Sequence, residues 1–159
     1  MPKRALLEQL IAHLSAEVEA MTQAALATHA EATDDENKAE DKYDTRGLEA
    51  SYLAHGQSKA AEEAALALAQ FRALAPRDFS AADPIGLGAL VVLENKGARS
   101  RYFIGPRAGG TEVEVDGHTV MVVTPQSPLG RQLLGRKQGD SLMLDVGGRR
   151  AENLIASVT

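Results

Sequence analysis

Apolar positions at Leu7, Ile11, Leu14, Val18, Met21 and Ala25 step by alternating fours and threes. That spacing is the a/d seam of a heptad helix, which packs against a second helix along a narrow stripe. Neither glycine nor proline occurs from Lys3 to Thr33, so one helix of about 46 Å is expected at 1.5 Å per residue. A related pattern returns at Ala61, Ala64, Leu68, Phe71 and Ala75, and Pro76 stops it, because a prolyl ring disfavours helix in the residue before it. Two heptad helices of similar length, separated by a short polar segment, predict an antiparallel coiled-coil hairpin over residues 1–76. The turn is expected at about residues 34–45, and small side chains at Ala50, Ala54, Ala61 and Ala64 would let the backbones approach closely.

After residue 76 the period changes. A lead-in rich in Pro and Gly ends near Gly88, and short β-prone runs follow at Ala89 to Leu93, Arg101 to Ile104, Thr111 to Val115, His118 to Thr124, Ser141 to Val146 and Ala151 to Val158. Asp116-Gly117 and Gly147-Gly148 are two-residue hairpin signals, so most of the sheet should be antiparallel. Between two of the runs, Ser127 can cap a short helix with Pro128 in its first turn and Gly135 as its stop. The expected fold class is α+β: a helical hairpin, then a small antiparallel β-sheet domain with one short helix over residues 77–159.

Composition narrows the chemistry. The 159 residues include no cysteine, which removes disulfides, thiol nucleophiles, thiolate zinc sites and iron–sulfur clusters. No run approaches the roughly 18–20 apolar residues of a membrane span, and the opening Met-Pro-Lys-Arg leads into an amphipathic pattern and not a signal core. A cytoplasmic chain with no membrane partner is expected. His13, His29, His55 and His118 form no ligand-spaced pair, and Gly86-Leu-Gly88 precedes a strand where a dinucleotide fingerprint would follow one.

Charge is distributed unevenly. Up to Pro76 there are 7 basic residues against 13 acidic ones, and beyond it 10 against 9. Most of the surplus falls between Glu31 and Asp44, where Glu31, Asp34, Asp35, Glu36, Glu40, Asp41 and Asp44 face only Lys38 and Lys42. That local surplus equals the net charge of the whole chain, −5. It disfavours direct phosphate binding, which needs a cationic surface, and favours a metal ion or a basic partner. An EF-hand does not fit, since the stretch from Asp34 lacks glycine at its sixth position and glutamate at its twelfth. The alternative is a solvated acidic turn. Arg99, Arg101 and Arg107 are candidates for a basic docking patch, and Lys42 and Tyr43 could contact nucleic acid or shape the turn.

An acidic hairpin followed by Ser127-Pro128-Leu129-Gly130-Arg131-Gln132-Leu133-Leu134-Gly135 and then Gly139-Asp140 resembles the bacterial Gre family of transcript-cleavage factors. The resemblance spans nearly the whole chain in architecture and about 15 residues in close motif. It implies an FKBP-like C-terminal domain that docks on RNA polymerase at its secondary channel, with Ser127 and Pro128 on the docking face. It also implies a coiled coil whose tip carboxylates help the polymerase hold a catalytic magnesium ion and cleave backtracked RNA, with indirect contact to the RNA 3′ end and the DNA template. The factor would act as a monomer, be no enzyme itself, and hold no magnesium stably alone.

Residue by residue, Asp41 and Asp44 match the family's Asp-x-x-Glu spacing just before the second helix. A second register places Asp34 or Asp35 and Glu36-Asn37 on the family's pattern, keeping its Glu-Asn pair but not the spacing before it. The chain departs from the family in carrying Asp44 where glutamate is usual, Glu40 where a small glycine often stands, and further acids nearby. Those departures leave open a non-cleaving regulator that occupies the channel. A more distant alternative is a prolyl isomerase using Phe79, Tyr102 and Phe103, and a purely structural coiled-coil adaptor is a further one.

Overall fold

The structure is a computed structural model and describes residues 1–33 and 46–159. Along the chain these form α1 (Lys3–Thr33), α2 (Arg46–Ala73), β1 (Leu90–Asn95), β2 (Ala98–Ile104), β3 (Glu112–Val115), β4 (His118–Val123), α3 (Pro128–Leu133), β5 (Ser141–Val146) and β6 (Arg149–Val158). The fold is the expected one, a helical hairpin followed by a six-stranded sheet and one short helix. The chain divides into two compact units: Ala12–Ala69, and Met1–Ile11 together with Gln70–Thr159.

Within the Ala12–Ala69 unit, α1 and α2 run antiparallel. Thr22, Ala25, Leu26 and His29 line one cavity of about 510 Å³ with Ser58, Ala61, Glu62 and Ala65. The heptad positions face inward: Leu14 and Ala25 on α1 and Ala54 and Leu68 on α2 are buried, and Val18, Met21, Ala61 and Ala64 are half-buried. Among the described residues of this unit, Thr28 and Gln57 bury polar atoms. Thr28 is buried, and its hydroxyl donates to the Ala24 carbonyl at 3.0 Å, which satisfies it within its own helix. Gln57 Oε1 is buried and has no hydrogen-bond partner among the described residues.

In the other unit, the sheet has the order β3-β4-β2-β1-β6-β5. Four of its pairings are antiparallel, and β2–β4 is parallel, so the sheet is mixed. One core cluster gathers Val91, Leu93, Ile104, Val123, Leu142, Ile155 and Val158 from the strands with Phe79, Ile85 and Leu133. Leu129 and Leu134 pack against it, so α3 covers this cluster. A second contact joins Phe71, at the end of α2, to Phe103 of β2 with ring centroids 6.3 Å apart. Gly105 permits this approach, since a Cβ there would lie 2.8 Å from both Phe71 Cζ and Val122 Cγ1. Leu6 and Leu10 near the start of α1 are fully buried, although they lie beside the heptad seam and not on it.

The start of α1 is fixed to the segment that leads into the sheet. Lys3 Nζ donates to the Arg77 carbonyl and stands 4.8 Å from the Phe79 ring centroid, and the Arg77 guanidinium lies 4.7 Å from the same ring. Ile85 exchanges backbone bonds with the end of the α3 segment, donating to Arg136 O at 2.7 Å and accepting from Gly135 N at 2.9 Å. Among the described residues, no helix is long and apolar enough to cross a membrane.

Candidate functional site

The chain places its acidic segment between the end of α1 and the start of α2. Asp41, Asp44, Asp35 and Glu36, the carboxylates expected to meet a metal, lie outside the described residues, as do Lys42 and Tyr43. The flanking acids Glu31 and Glu49 are exposed. Among the described residues, no group of three or more His, Asp or Glu side chains is arranged to hold a metal ion. The four histidines are all exposed and belong to three different elements.

The second set of candidate residues is described in full. Ser127 has extended backbone angles (φ −68°, ψ 156°) at the N-cap of α3, and Pro128 opens the helix. The Ser127 hydroxyl accepts from the Gly130 backbone N–H at 3.0 Å and donates to the Thr124 carbonyl at 2.8 Å. The Ser127 N–H donates to that same Thr124 oxygen at 3.1 Å. One of the donors left unpaired at a helix start is thus satisfied by the side chain. Both hydrogen-bonding roles of the hydroxyl are engaged inside the loop, and Pro128 is the exposed member of the pair. At the far end, Gly135 adopts φ +80°, the left-handed conformation that ends a helix at little cost only for glycine.

The three arginines expected as a basic patch are not equivalent. Arg99 Nε is 2.8 Å from Glu94 Oε2, and Arg107 Nε donates to Gln70 Oε1 at 3.2 Å. Arg99 and Arg101 share a cavity of about 210 Å³ with Tyr102, Glu112, Thr119 and Met121, and Arg107 does not line it. Glu94 and Glu112 reduce the positive character of that surface, so it is polar more than cationic.

Among the described residues, two titrating groups depart from their ordinary behaviour. Burial lowers the pKa of Lys3, with Asp78 opposing the shift and Arg77 adding to it. The Ser80 backbone N–H, 2.8 Å from Asp83 Oδ2, holds that carboxyl below its usual range. Lys3 opens α1 and Asp83 lies in the connection between α2 and β1, and neither belongs to the candidate site residues. Of the aromatics considered for a proline pocket, Phe79 and Phe103 are buried in packing and Tyr102 is half-buried.

No family model matches the chain, and no curated protein matches it. Solved structures do resemble it. One is described as the transcription factor Gfh1, with 24% identity over 93% of this chain and 92% of that one at a TM-score of 0.42. A second is GreA factor homolog 1 (Gfh1) of Thermus thermophilus, with 20% identity over 98% and 93% of the two chains and a TM-score of 0.38. A third is the prokaryotic transcription elongation factor GreA/GreB from Nitrosomonas europaea, with 18% identity over 70% of this chain and 92% of that one at a TM-score of 0.37.

Proposed function

We propose that the protein is an accessory transcription factor that binds RNA polymerase and, through Asp41 and Asp44, stimulates the polymerase's own cleavage of backtracked RNA. The observation that carries the reading is the joining of two features in one chain. The twelve residues that connect two long antiparallel helices carry six carboxylates, and the sheet unit carries the Ser127-Pro128 motif that resembles the Gre family. Carboxylates suit the task because hard oxygen donors are the ligands magnesium prefers. In such chemistry the metal stabilises the attacking and leaving oxygens of the phosphodiester. Asp41 and Asp44 would complete a coordination sphere largely supplied by the polymerase and orient the attacking water. The protein would then be no enzyme by itself.

The departures at Glu40 and Asp44 favour a second reading, a regulator that occupies the polymerase without promoting cleavage. Aspartate is one methylene shorter than glutamate, so its carboxylate reaches less far from the backbone. One experiment separates the two. A stalled, backtracked elongation complex is incubated with the full chain and magnesium, and released 3′ RNA fragments are measured. Cleavage that Asp41→Asn or Asp44→Asn slows by about 10- to 100-fold, as loss of a metal-positioning group does, supports the first reading. Polymerase binding that changes initiation or elongation rates without fragments replaces it with the second. Failure to bind core polymerase removes both.

A further inference from the structure

The sheet ends in two edge strands, β3 and β5. β3 has four residues, with Val113 and Val115 buried and Glu112 and Glu114 exposed, the short and charged form that natural edges take to avoid pairing with other chains. β5 is built differently. It has six residues, Ser-Leu-Met-Leu-Asp-Val, with a single charge, no proline, and an unbroken register with β6.

The turn between β5 and β6 determines which backbone groups this edge presents. Gly147 and Gly148 both have positive φ, 59° and 79°, the pattern of a type I′ hairpin turn. Such a turn is closed by a pair that exchanges both backbone hydrogen bonds, and bonded and non-bonded pairs then alternate along the ladder. With Val146 opposite Arg149 as the closing pair, Leu144 and Leu142 are also bonded to β6. The N–H and C=O groups of Ser141, Met143 and Asp145 therefore point away from the sheet. Arg136 Nη1 reaches the Ser141 carbonyl at 3.4 Å, as that direction requires. Among the described residues, no strand pairs with this side of β5.

A cavity of about 350 Å³ accompanies the edge, lined by Gln132, Arg136, Ser141, Leu142, Met143, Arg150 and Glu152, so two of its three charged residues are cations. Met143 is 45% exposed, an apolar contact for a side chain on an incoming strand. The segment of chain that carries this edge is basic in an acidic protein. From Arg131 to Glu152 there are five cations (Arg131, Arg136, Lys137, Arg149, Arg150) against three carboxylates (Asp140, Asp145, Glu152). Asp140 accepts from the Lys137 N–H at 2.8 Å, and Asp145 lies 3.7 Å from Arg150 in an exposed pair, which leaves four cations against two carboxylates outside that pair.

The geometry points to the β5 edge as a docking site for an extended, acidic peptide segment of a partner protein, which adds to the sheet as a further strand. Main-chain hydrogen bonds to Met143 and Asp145 supply the pairing, and Arg136 and Arg150 attract the segment's carboxylates. Charge selects this occupant over a second copy of the chain, because pairing β5 with β5 would bring two basic rims together within a Debye length. The inference rests on the sheet unit alone and stands or falls separately from the polymerase reading.

The test uses the full chain and a terminally blocked, fluorescein-labelled peptide, Glu-Thr-Val-Thr-Val-Glu-Glu, with a counterpart in which lysine replaces every glutamate. The acidic peptide is expected to bind and the basic one not. Amide hydrogen exchange at Met143 and Asp145 is expected to slow by about tenfold at saturation. Met143→Pro removes an outward N–H without touching a bond to β6 and should weaken binding at least about tenfold, as should the exposed double reversal Arg136→Glu/Arg150→Glu. If Met143→Pro fails to fold, the double reversal decides alone. Equal binding of the two peptides, unchanged affinity in the folded variants, or protection confined to other strands overturns the inference. So does a dimer in sedimentation that the β5 variants abolish, or displacement of the peptide by an RNA oligonucleotide acting through the same arginines.

Discussion

Replacing Gly130 with alanine tests the packing of α3 more sharply than any other single change. A Cβ at this position would lie 1.9 Å from the Thr124 carbonyl oxygen and 2.8 Å from its carbon. Both are backbone atoms, and the oxygen is held by two bonds from Ser127, so no rotamer change relieves the overlap. Two responses remain. The loop and helix can shift while staying docked, at the roughly 1–3 kcal/mol typical of overpacking. Alternatively α3 can lift, which exposes Leu133, now fully buried, at roughly 1.5–3 kcal/mol for a leucine side chain, and breaks the Ser127 cap at about 1 kcal/mol. The first route costs at most about 3 kcal/mol and the second roughly 2.5–4 kcal/mol, so a loss of up to about 3 kcal/mol is expected. For a chain of this length that lowers the melting temperature by up to roughly 6–12 °C, measurable by calorimetry or circular dichroism. A Gly130→Ala protein that unfolds within about 1 kcal/mol of the parent refutes the close approach of α3 to Thr124.

Three further outcomes follow from the same geometry. Gly105→Ala should cost about 1–2 kcal/mol by thermal unfolding, less than Gly130→Ala, because the atoms a Cβ meets are the side-chain ends of Phe71 and Val122; the reverse ranking would contradict it. Gln57→Leu should stabilise the chain by about 1 kcal/mol or more, since it replaces a buried oxygen without a partner among the described residues by apolar surface; a destabilised variant in urea titration would show that the oxygen is satisfied. Lys3 has its folded pKa lowered chiefly by burial, so between that value and its ordinary 10.5 the unfolded chain binds more protons. Stability from this group therefore rises with pH through that window, and Lys3→Met should remove the rise; identical slopes of unfolding free energy against pH in parent and variant would refute it.

The heptad spacing of α1 and α2 was readable because a two-helix seam imposes one stripe, and Leu14, Ala25, Ala54 and Leu68 occupy it. Leu6 and Leu10 were not readable from that pattern. They lie in the unit that contains the sheet, and a helix start buried on a wider face needs apolar residues beside the seam. Strand identity was legible and strand extent less so. β2 begins at Ala98, three residues before the expected Arg101, because Ala98 to Ser100 are exposed and carry no apolar signal. β6 begins at Arg149 because two glycines suffice to turn the chain. The parallel pairing of β2 with β4 could not be read, since alternation records which face is buried and not which way a neighbour runs. Lys3 gave no sign of burial, because its partners, the Arg77 carbonyl and the Phe79 ring, are more than seventy positions away in sequence.

The Ser127-Pro128 motif has a bearing on function that follows from its geometry. Ser127 accepts from Gly130, donates to Thr124 and starts α3, and Gly130 is the residue that lets α3 approach the Thr124 backbone. The Ser127 hydroxyl is therefore committed to folding, so that residue by itself is evidence for a local structure and not for a partner. Docking through this region must rest on groups the cap leaves exposed, Pro128 among them. Ser127→Ala should lower stability by about 1 kcal/mol while leaving polymerase affinity unchanged in the folded protein; Pro128→Ala removes the exposed ring and leaves the Ser127 hydroxyl in place. If Ser127→Ala weakens polymerase binding at temperatures where the variant is fully folded, the hydroxyl reaches the partner and the cap does not account for it. The carboxylates between α1 and α2 are the opposite case. Nothing in the heptad pairing of two helices calls for seven acids in fourteen residues, and like charges at that density oppose one another at about 1 kcal/mol per close pair in water. A charge cluster that the helix pairing does not require is what the proposed metal-positioning role of Asp41 and Asp44 would explain, whereas the Ser127 hydroxyl is already explained by the cap.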